Sequence, residues 1–111
     1  KNRIVDLNKK KHFKKKLIIF LNYSGKDEII NASKISNKNK KTFKTNLLTN
    51  NLPDPDILIR TGGYSRLSNF MLFQMAFTEL FFIKKLWPDI NSTDIRRIIS
   101  KYHMIDRKFG L

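Results

Sequence analysis

A chain of 111 residues, 41% of them apolar, can build one domain with a modest core but not two domains. It has no cysteine, which excludes disulfides, thiolate metal sites and a cysteine nucleophile, and fits a reducing compartment. The formal net charge of +14 is lopsided, with +11 over residues 1–50 and +3 over 51–111. No apolar run approaches the ~20 residues that a spanning helix needs. The longest candidate, residues 70–83, is interrupted by Gln74, Thr78 and Glu79. The first residue is Lys1 and no secretory pattern follows it, so the chain is expected to begin inside a longer product or to have had its start removed.

In chain order, residues 1–16 read as a basic, poorly ordered lead-in, with lysines at 9–11 and 14–16 around His12. Residues 17–21 (LIIFL) are wholly apolar, with β-branched Ile18 and Ile19, which predicts a strand buried on both faces as in parallel sheets. Asn22-Tyr23-Ser24-Gly25 supplies a turn, and residues 26–35 are expected to continue as a helix. Residues 36–41 (SNKNKK) read as a polar loop and 42–48 as a short helix. Pro53-Asp54-Pro55 breaks what precedes it. Residues 56–60 (DILIR) give a second buried-strand pattern, running into Thr61-Gly62-Gly63, where adjacent glycines permit positive φ. Ser68 is a good N-cap for a run, 69–77, that is apolar all round and is expected to be a buried helix. Residues 80–83 (LFFI) predict a third strand, ended by Trp87-Pro88-Asp89. Residues 91–104 are amphipathic, with Ile95, Ile98, Ile99 and Tyr102 at helical spacing. The alternation of strand and helix predicts an α/β fold with a largely parallel sheet flanked by helices.

The stretch 56–79 carries the chemistry. A strand delivers Arg60 to its carboxyl end, where ligands of open α/β sheets bind. A Gly-Gly turn, Arg66 and Ser68 follow. A helix N-terminus offers free N–H groups to an anion, and arginine adds a planar donor fork suited to phosphate. Two arginines, a hydroxyl and a helix start can therefore converge on one phosphate or diphosphate. On pattern alone an alternative stays open: Arg60 and Arg66 as surface residues and Ser68 as a cap only. Glu79 lies in an apolar neighbourhood, where a carboxylate needs a partner. A structural salt bridge and a hard divalent cation such as Mg²⁺ both answer that need.

These residues also carry a resemblance. Asp56-Ile57-Leu58-Ile59-Arg60-Thr61-Gly62-Gly63, then Arg66-Leu67-Ser68-Asn69-Phe70, Gln74, Ala76, Glu79-Leu80, Phe82 and Trp87-Pro88-Asp89 closely resemble the late signature of the cis-prenyltransferases, the undecaprenyl diphosphate synthase type. Asn22-Tyr23-Ser24-Gly25-Lys26-Asp27-Glu28-Ile29 resembles an earlier motif of the same family, Asn-Tyr-Gly-Gly-Arg followed by an acidic residue. The resemblance runs from about residue 17 to the end. It implies condensation of isopentenyl diphosphate onto an allylic diphosphate such as farnesyl diphosphate, with Mg²⁺, by a homodimer in the cytoplasm. Arg60, Arg66 and Ser68, with the Leu67 backbone, would hold the diphosphate of isopentenyl diphosphate. Glu79 would be the metal-linked carboxylate.

The departures are specific. Ser65 stands where the family often has a histidine or another polar side chain, Ser24 replaces a glycine, and Lys26 replaces an arginine. Lys108-Phe109-Gly110 replaces an Arg-x-Gly ending and loses the bidentate fork. The family's Asp-Gly-Asn-Gly-Arg-Trp motif, with its main metal-linked aspartate, does not occur in these residues. The expectation is therefore a single incomplete domain over 1–111, the C-terminal portion of the fold, with no catalytic residue of its own and no activity alone. Two other readings compete. One is a non-catalytic subunit or remnant of the family, opposed by the presence of Arg60, Arg66, Ser68 and Glu79. The other is a basic nucleic-acid-binding module, for which charge predicts only non-specific contact and no motif is present. The Lys-rich first half also suits a peripheral contact with anionic lipid.

Overall fold

The computed structural model describes residues 3–6, 15–36 and 40–108. The fold is α/β and open, and the chain divides into two compact units: residues 1–53 with 69–73, and residues 54–68 with 74–111.

In the first unit, strand β1 (Arg3–Asp6) pairs antiparallel with β2 (Ile18–Leu21), Arg3 opposite Leu21 and Asp6 opposite Ile18. Asn22 then turns the chain at φ 51°, a left-handed conformation that asparagine tolerates. Helix α1 (Gly25–Ile35) follows. Its first amides are all engaged. Gly25 N–H donates to the Asn69 carbonyl at 2.8 Å, Lys26 N–H to Asn69 Oδ1 at 2.8 Å, and Asp27 N–H to Ser24 Oγ at 3.2 Å. Asn69 Nδ2 donates back to Ser24 Oγ at 2.9 Å. The orphan donors of a helix start are thus satisfied by one serine and one distant asparagine. Asp27 and Glu28 in the first turn suit the helix dipole. At the other end, the Ser36 N–H and hydroxyl both return to the Ala32 carbonyl.

Helix α2 (Lys40–Thr45) leads into turns through residue 52. They bring Thr49 against Glu28, a carboxylate only 2% exposed. Glu28 Oε1 accepts from Thr49 N–H and Thr49 Oγ1, each at 3.0 Å, and Oε2 accepts from the Tyr23 hydroxyl. Three donors offset the desolvation that a lone buried carboxylate would suffer. Burial, then the bond to Glu28, push the Tyr23 hydroxyl pKa well above its ordinary value, so Tyr23 stays a donor. Its ring meets Phe20 and Phe70 edge-on at 4.9 and 5.7 Å, and Phe43 meets Phe73 at 5.0 Å.

In the second unit, β3 (Ile57–Arg60) and β4 (Glu79–Phe82) pair in parallel, from Ile57 opposite Glu79 to Arg60 opposite Phe82. The ladder continues past both ends. Glu79 N–H reaches the Asp56 carbonyl at 3.0 Å, and Ile83 N–H reaches the Arg60 carbonyl at 2.9 Å. Gly63 N–H then bonds the Ile83 carbonyl at 3.0 Å and Gly62 N–H the Lys85 carbonyl at 2.8 Å. Both glycines hold positive φ, 87° and 79°, which is what this turn demands of them. A 3₁₀ turn at Trp87–Asp89 precedes helix α3 (Ser92–His103). Its start is a capping box: Asn91 Oδ1 accepts from Asp94 N–H, and Asp94 Oδ2 accepts from Asn91 N–H. Asp94 Oδ2 also takes Lys85 Nζ at 2.7 Å.

Several expectations need correction. Residues 18–21 are not a strand buried on both faces. Ile19 and Leu21 are exposed while Ile18 and Phe20 are half-buried, the alternation of an antiparallel ladder covered on one side. A strand also forms at 3–6, inside the stretch read as a lead-in, and the lysines at 9–11 and Lys14 lie outside the described residues. The loop read at 36–41 gives way to α2 from Lys40. No α-helix forms over 69–77. Ser68, Asn69 and Met71 hold φ of 51°, 64° and 44°, which a right-handed helix cannot contain, and consecutive turns replace it. The helices at 25–35 and 92–103 stand as the sequence indicates.

Two consequences are measurable. A Cβ on Gly25 would sit 3.0 Å from the Asn69 carbonyl oxygen and 3.1 Å from Leu72 Cγ. Gly25→Ala should therefore cost about 1–3 kcal/mol in urea unfolding, despite the better helix propensity of alanine. The bonds from Lys85 and from Asn91 N–H hold the Asp94 carboxyl below its ordinary value of 3.8. A depressed carboxyl contributes stability that is complete above the ordinary value and is lost as pH falls through the lowered one. The unfolding midpoints of wild type and Asp94→Asn should differ most near neutrality and converge in acid.

Candidate functional site

The loop 61–68 leaves the carboxyl end of β3. Arg60, the last residue of that strand, reaches across it. Its Nη1 donates to the Arg66 carbonyl and to Ser68 Oγ, the latter at 2.7 Å. Arg66 lays its guanidinium over the Tyr64 ring, 4.3 Å from the centroid, and the Arg60 guanidinium stands 5.9 Å from the same centroid. Leu67 is half-buried between Arg66 and Ser68. Among the described residues neither guanidinium has a carboxylate partner. Two like charges and a hydroxyl are therefore gathered in one loop without neutralisation, a condition that favours an incoming anion.

The structure thus brings Arg60, Arg66 and Ser68 together, but by a different device from the one the sequence suggests. Ser68 caps no helix, because its left-handed φ and the bond from Arg60 engage it otherwise. The expected helix-start cradle at Leu67 and Ser68 is absent for the same reason. The Gly62 and Gly63 amides are not free donors either, since both extend the strand ladder. The positive charge of the site comes from the two side chains.

Glu79 is placed elsewhere. It opens β4 opposite Ile57, whereas Arg60 closes β3 opposite Phe82. Three residues of strand, roughly 10 Å, separate the two levels. Arg107 accompanies Glu79, with Nε 3.9 Å from Glu79 Oε1. Arg107 Nη1 donates to Asp56 Oδ1 at 2.8 Å and to the Tyr102 hydroxyl at 2.7 Å, and Nη2 donates to the Phe77 carbonyl at 2.9 Å. The bond to Asp56 leads the effects that raise the Arg107 pKa above its ordinary value. Of the two partners the sequence leaves open for Glu79, the chain itself provides the cation. As a hard oxygen donor Glu79 fits Mg²⁺ as one ligand. Among the described residues no group of three or more histidines or carboxylates completes a metal centre.

Two residues escape the sequence reading. Tyr64 carries a signal in hindsight, an aromatic ring in a polar loop two residues before an arginine. Arg107 carries none, because its partners other than Tyr102 lie 51, 30 and 28 residues away in the chain. Arg107→Ala should lower the unfolding midpoint. Arg107→Lys should recover only part of it, since an ammonium keeps the charge but not the fork that serves Asp56, Tyr102 and Phe77 at once.

Comparison with known proteins bears on the same residues. Residues 2–110 match the prenyltransferase family model described as "Putative undecaprenyl diphosphate synthase". An isoprenyl transferase of Thermotoga maritima is 43% identical, over 85% of this chain and 45% of its own length. A ditrans,polycis-undecaprenyl-diphosphate synthase of Coxiella burnetii, specific for (2E,6E)-farnesyl diphosphate, is 44% identical over 86% of this chain and 46% of its own. The solved lavandulyl diphosphate synthase of Lavandula x intermedia, in complex with dimethylallyl diphosphate, superposes with a TM-score of 0.72 at 38% identity, covering 80% of this chain and 44% of that one. The chain thus spans about half the length of these relatives. The match over nearly all its residues, with the Arg60–Arg66–Ser68 loop inside it, shows that the chain belongs to the undecaprenyl diphosphate synthase family of prenyltransferases.

Proposed function

We propose that this chain contributes the isopentenyl diphosphate site of a cis-prenyltransferase that condenses isopentenyl diphosphate onto an allylic diphosphate, such as farnesyl diphosphate, to build a polyprenyl diphosphate. The observation that carries this reading is the pairing of Arg60 with Ser68 beside Arg66, with no carboxylate partner on either arginine among the described residues. A condensation that releases diphosphate needs fixed cations where negative charge collects, and it needs the two substrates held in line. Arg60 and Arg66 supply the first, and Ser68 orients Arg60 and offers its own hydroxyl.

Glu79 would serve Mg²⁺ as a single carboxylate ligand, and the bound ion would offset diphosphate charge. Arg107, 3.9 Å away, then acts as the cation that holds Glu79 in place. Assembly as a homodimer, a cytoplasmic location and a peripheral contact with anionic lipid belong to the same proposal. Among the described residues no helix is long and apolar enough to cross a membrane.

Calorimetric titration of the chain with isopentenyl diphosphate tests the proposal. Arg60→Ala and Arg66→Ala should each weaken binding by about tenfold or more, as expected for loss of a charge-assisted contact. Lys101→Ala, on the exposed side of α3, should leave it unchanged. Equal affinity for wild type and both arginine variants would remove the basis of the assignment.

A further inference from the structure

Tyr64 has no role in the scheme above, yet it is the one side chain of the loop that meets both arginines. The physical difficulty of the site is that two guanidinium groups must stay close with nothing negative between them. A carboxylate would hold them but would also cancel the charge that an anion needs. An aromatic face attracts a cation through its quadrupole and leaves the net charge intact. The Tyr64 ring stands 4.3 Å from the Arg66 guanidinium carbon and 5.9 Å from that of Arg60. The Arg66 guanidinium makes no hydrogen bond or ion pair among the described residues, so the ring is the polar partner that orients it. Arg60 is fixed separately, by the Arg66 carbonyl and Ser68 Oγ. The loop therefore has two devices: a hydrogen-bonded arginine and a ring-stacked one.

We infer that Tyr64 is a positioning residue of the anion site, holding Arg66 beside Arg60 by ring stacking so that a diphosphate meets a preformed pair of guanidinium groups. This rests on the reading of Arg60 and Arg66 as diphosphate ligands. The hydroxyl of Tyr64 has no part in it, and the ring carries the whole effect. An arginine left free on this loop would have to be ordered by the ligand, at the expense of affinity.

The test uses the full chain and inorganic pyrophosphate in buffer with a chelator, so that no divalent cation contributes. Affinity is read by calorimetry for wild type, Tyr64→Phe, Tyr64→Leu and Arg66→Ala, with circular dichroism of each to confirm the fold. Tyr64 is exposed, at 54%, so its removal leaves no cavity. Tyr64→Leu should bind roughly three- to tenfold more weakly, the loss expected when one long side chain must be immobilised on binding. Tyr64→Phe should stay within about twofold of wild type, since it keeps the ring. In the Arg66→Ala background, Tyr64→Leu should have no further effect, because the group it positions is gone. Pyrophosphate binding by wild type that Tyr64→Leu leaves unchanged or tightens would overturn the inference while leaving the arginine assignment intact. A Tyr64→Phe variant as weak as Tyr64→Leu would overturn it too, by moving the effect to the hydroxyl. Failure of wild type to bind pyrophosphate at all would sink the arginine assignment itself, and the inference with it.

Discussion

The parallel pairing of β3 with β4 is the constraint on which the second unit depends. Its register fixes Arg60 at one end of the ladder and Glu79 at the other. Because the ladder runs on through Ile83, Gly63 and Gly62, it also consumes the amides of the glycine turn. A parallel pair has two unlike ends, and this one divides charge between them. At the carboxyl end of β3 stand two guanidinium groups with no carboxylate partner among the described residues. At the amino end one guanidinium, Arg107, meets Asp56 and Glu79. The first end is left electrostatically hungry and the second is settled within the chain. The proposed anionic ligand would meet uncompensated positive charge at the first end.

The two ends are also built by different means. Arg107 is fixed by hydrogen bonds with acceptors that belong to the fold, including the Phe77 carbonyl just before β4. Those bonds stabilise, and they spend the charge. Arg60 takes only neutral acceptors, a carbonyl and a hydroxyl, and Arg66 takes an aromatic ring. Neutral partners orient a cation without cancelling it, which is what separates a binding arginine from a structural one.

The first unit shows the same economy in another form. Its largest fully buried side chain is not apolar but the carboxylate of Glu28, saturated by Thr49 and Tyr23. A small core of residues such as Ala32, Leu47 and Met71 leaves much of the specificity to that polar node and to Asn69, which satisfies the first amides of α1. Both depend on residues more than twenty positions apart in sequence meeting at hydrogen-bonding distance, so small substitutions such as an added methyl at Gly25 are felt directly.

The sequence is enough for the local elements, whose signals are short-range. Apolar runs gave β2 and β3, the amphipathic spacing over 91–104 gave α3, and the glycine pair gave the turn after β3. It also named the arginines and serine of the loop, because their spacing carries a family signature. Long-range partners then redirect those residues in ways that no local signal reports. Ser68 looks like a helix cap, yet Arg60 takes its hydroxyl. Asn69 looks like the start of a helix, yet it satisfies another helix 43 residues away. With both held at positive φ, the apolar run that follows cannot wind into the helix that its composition favours. The partners of Arg107 and the separation of Glu79 from Arg60 were equally beyond a local reading, because a strand register is set by pairing, not by propensity.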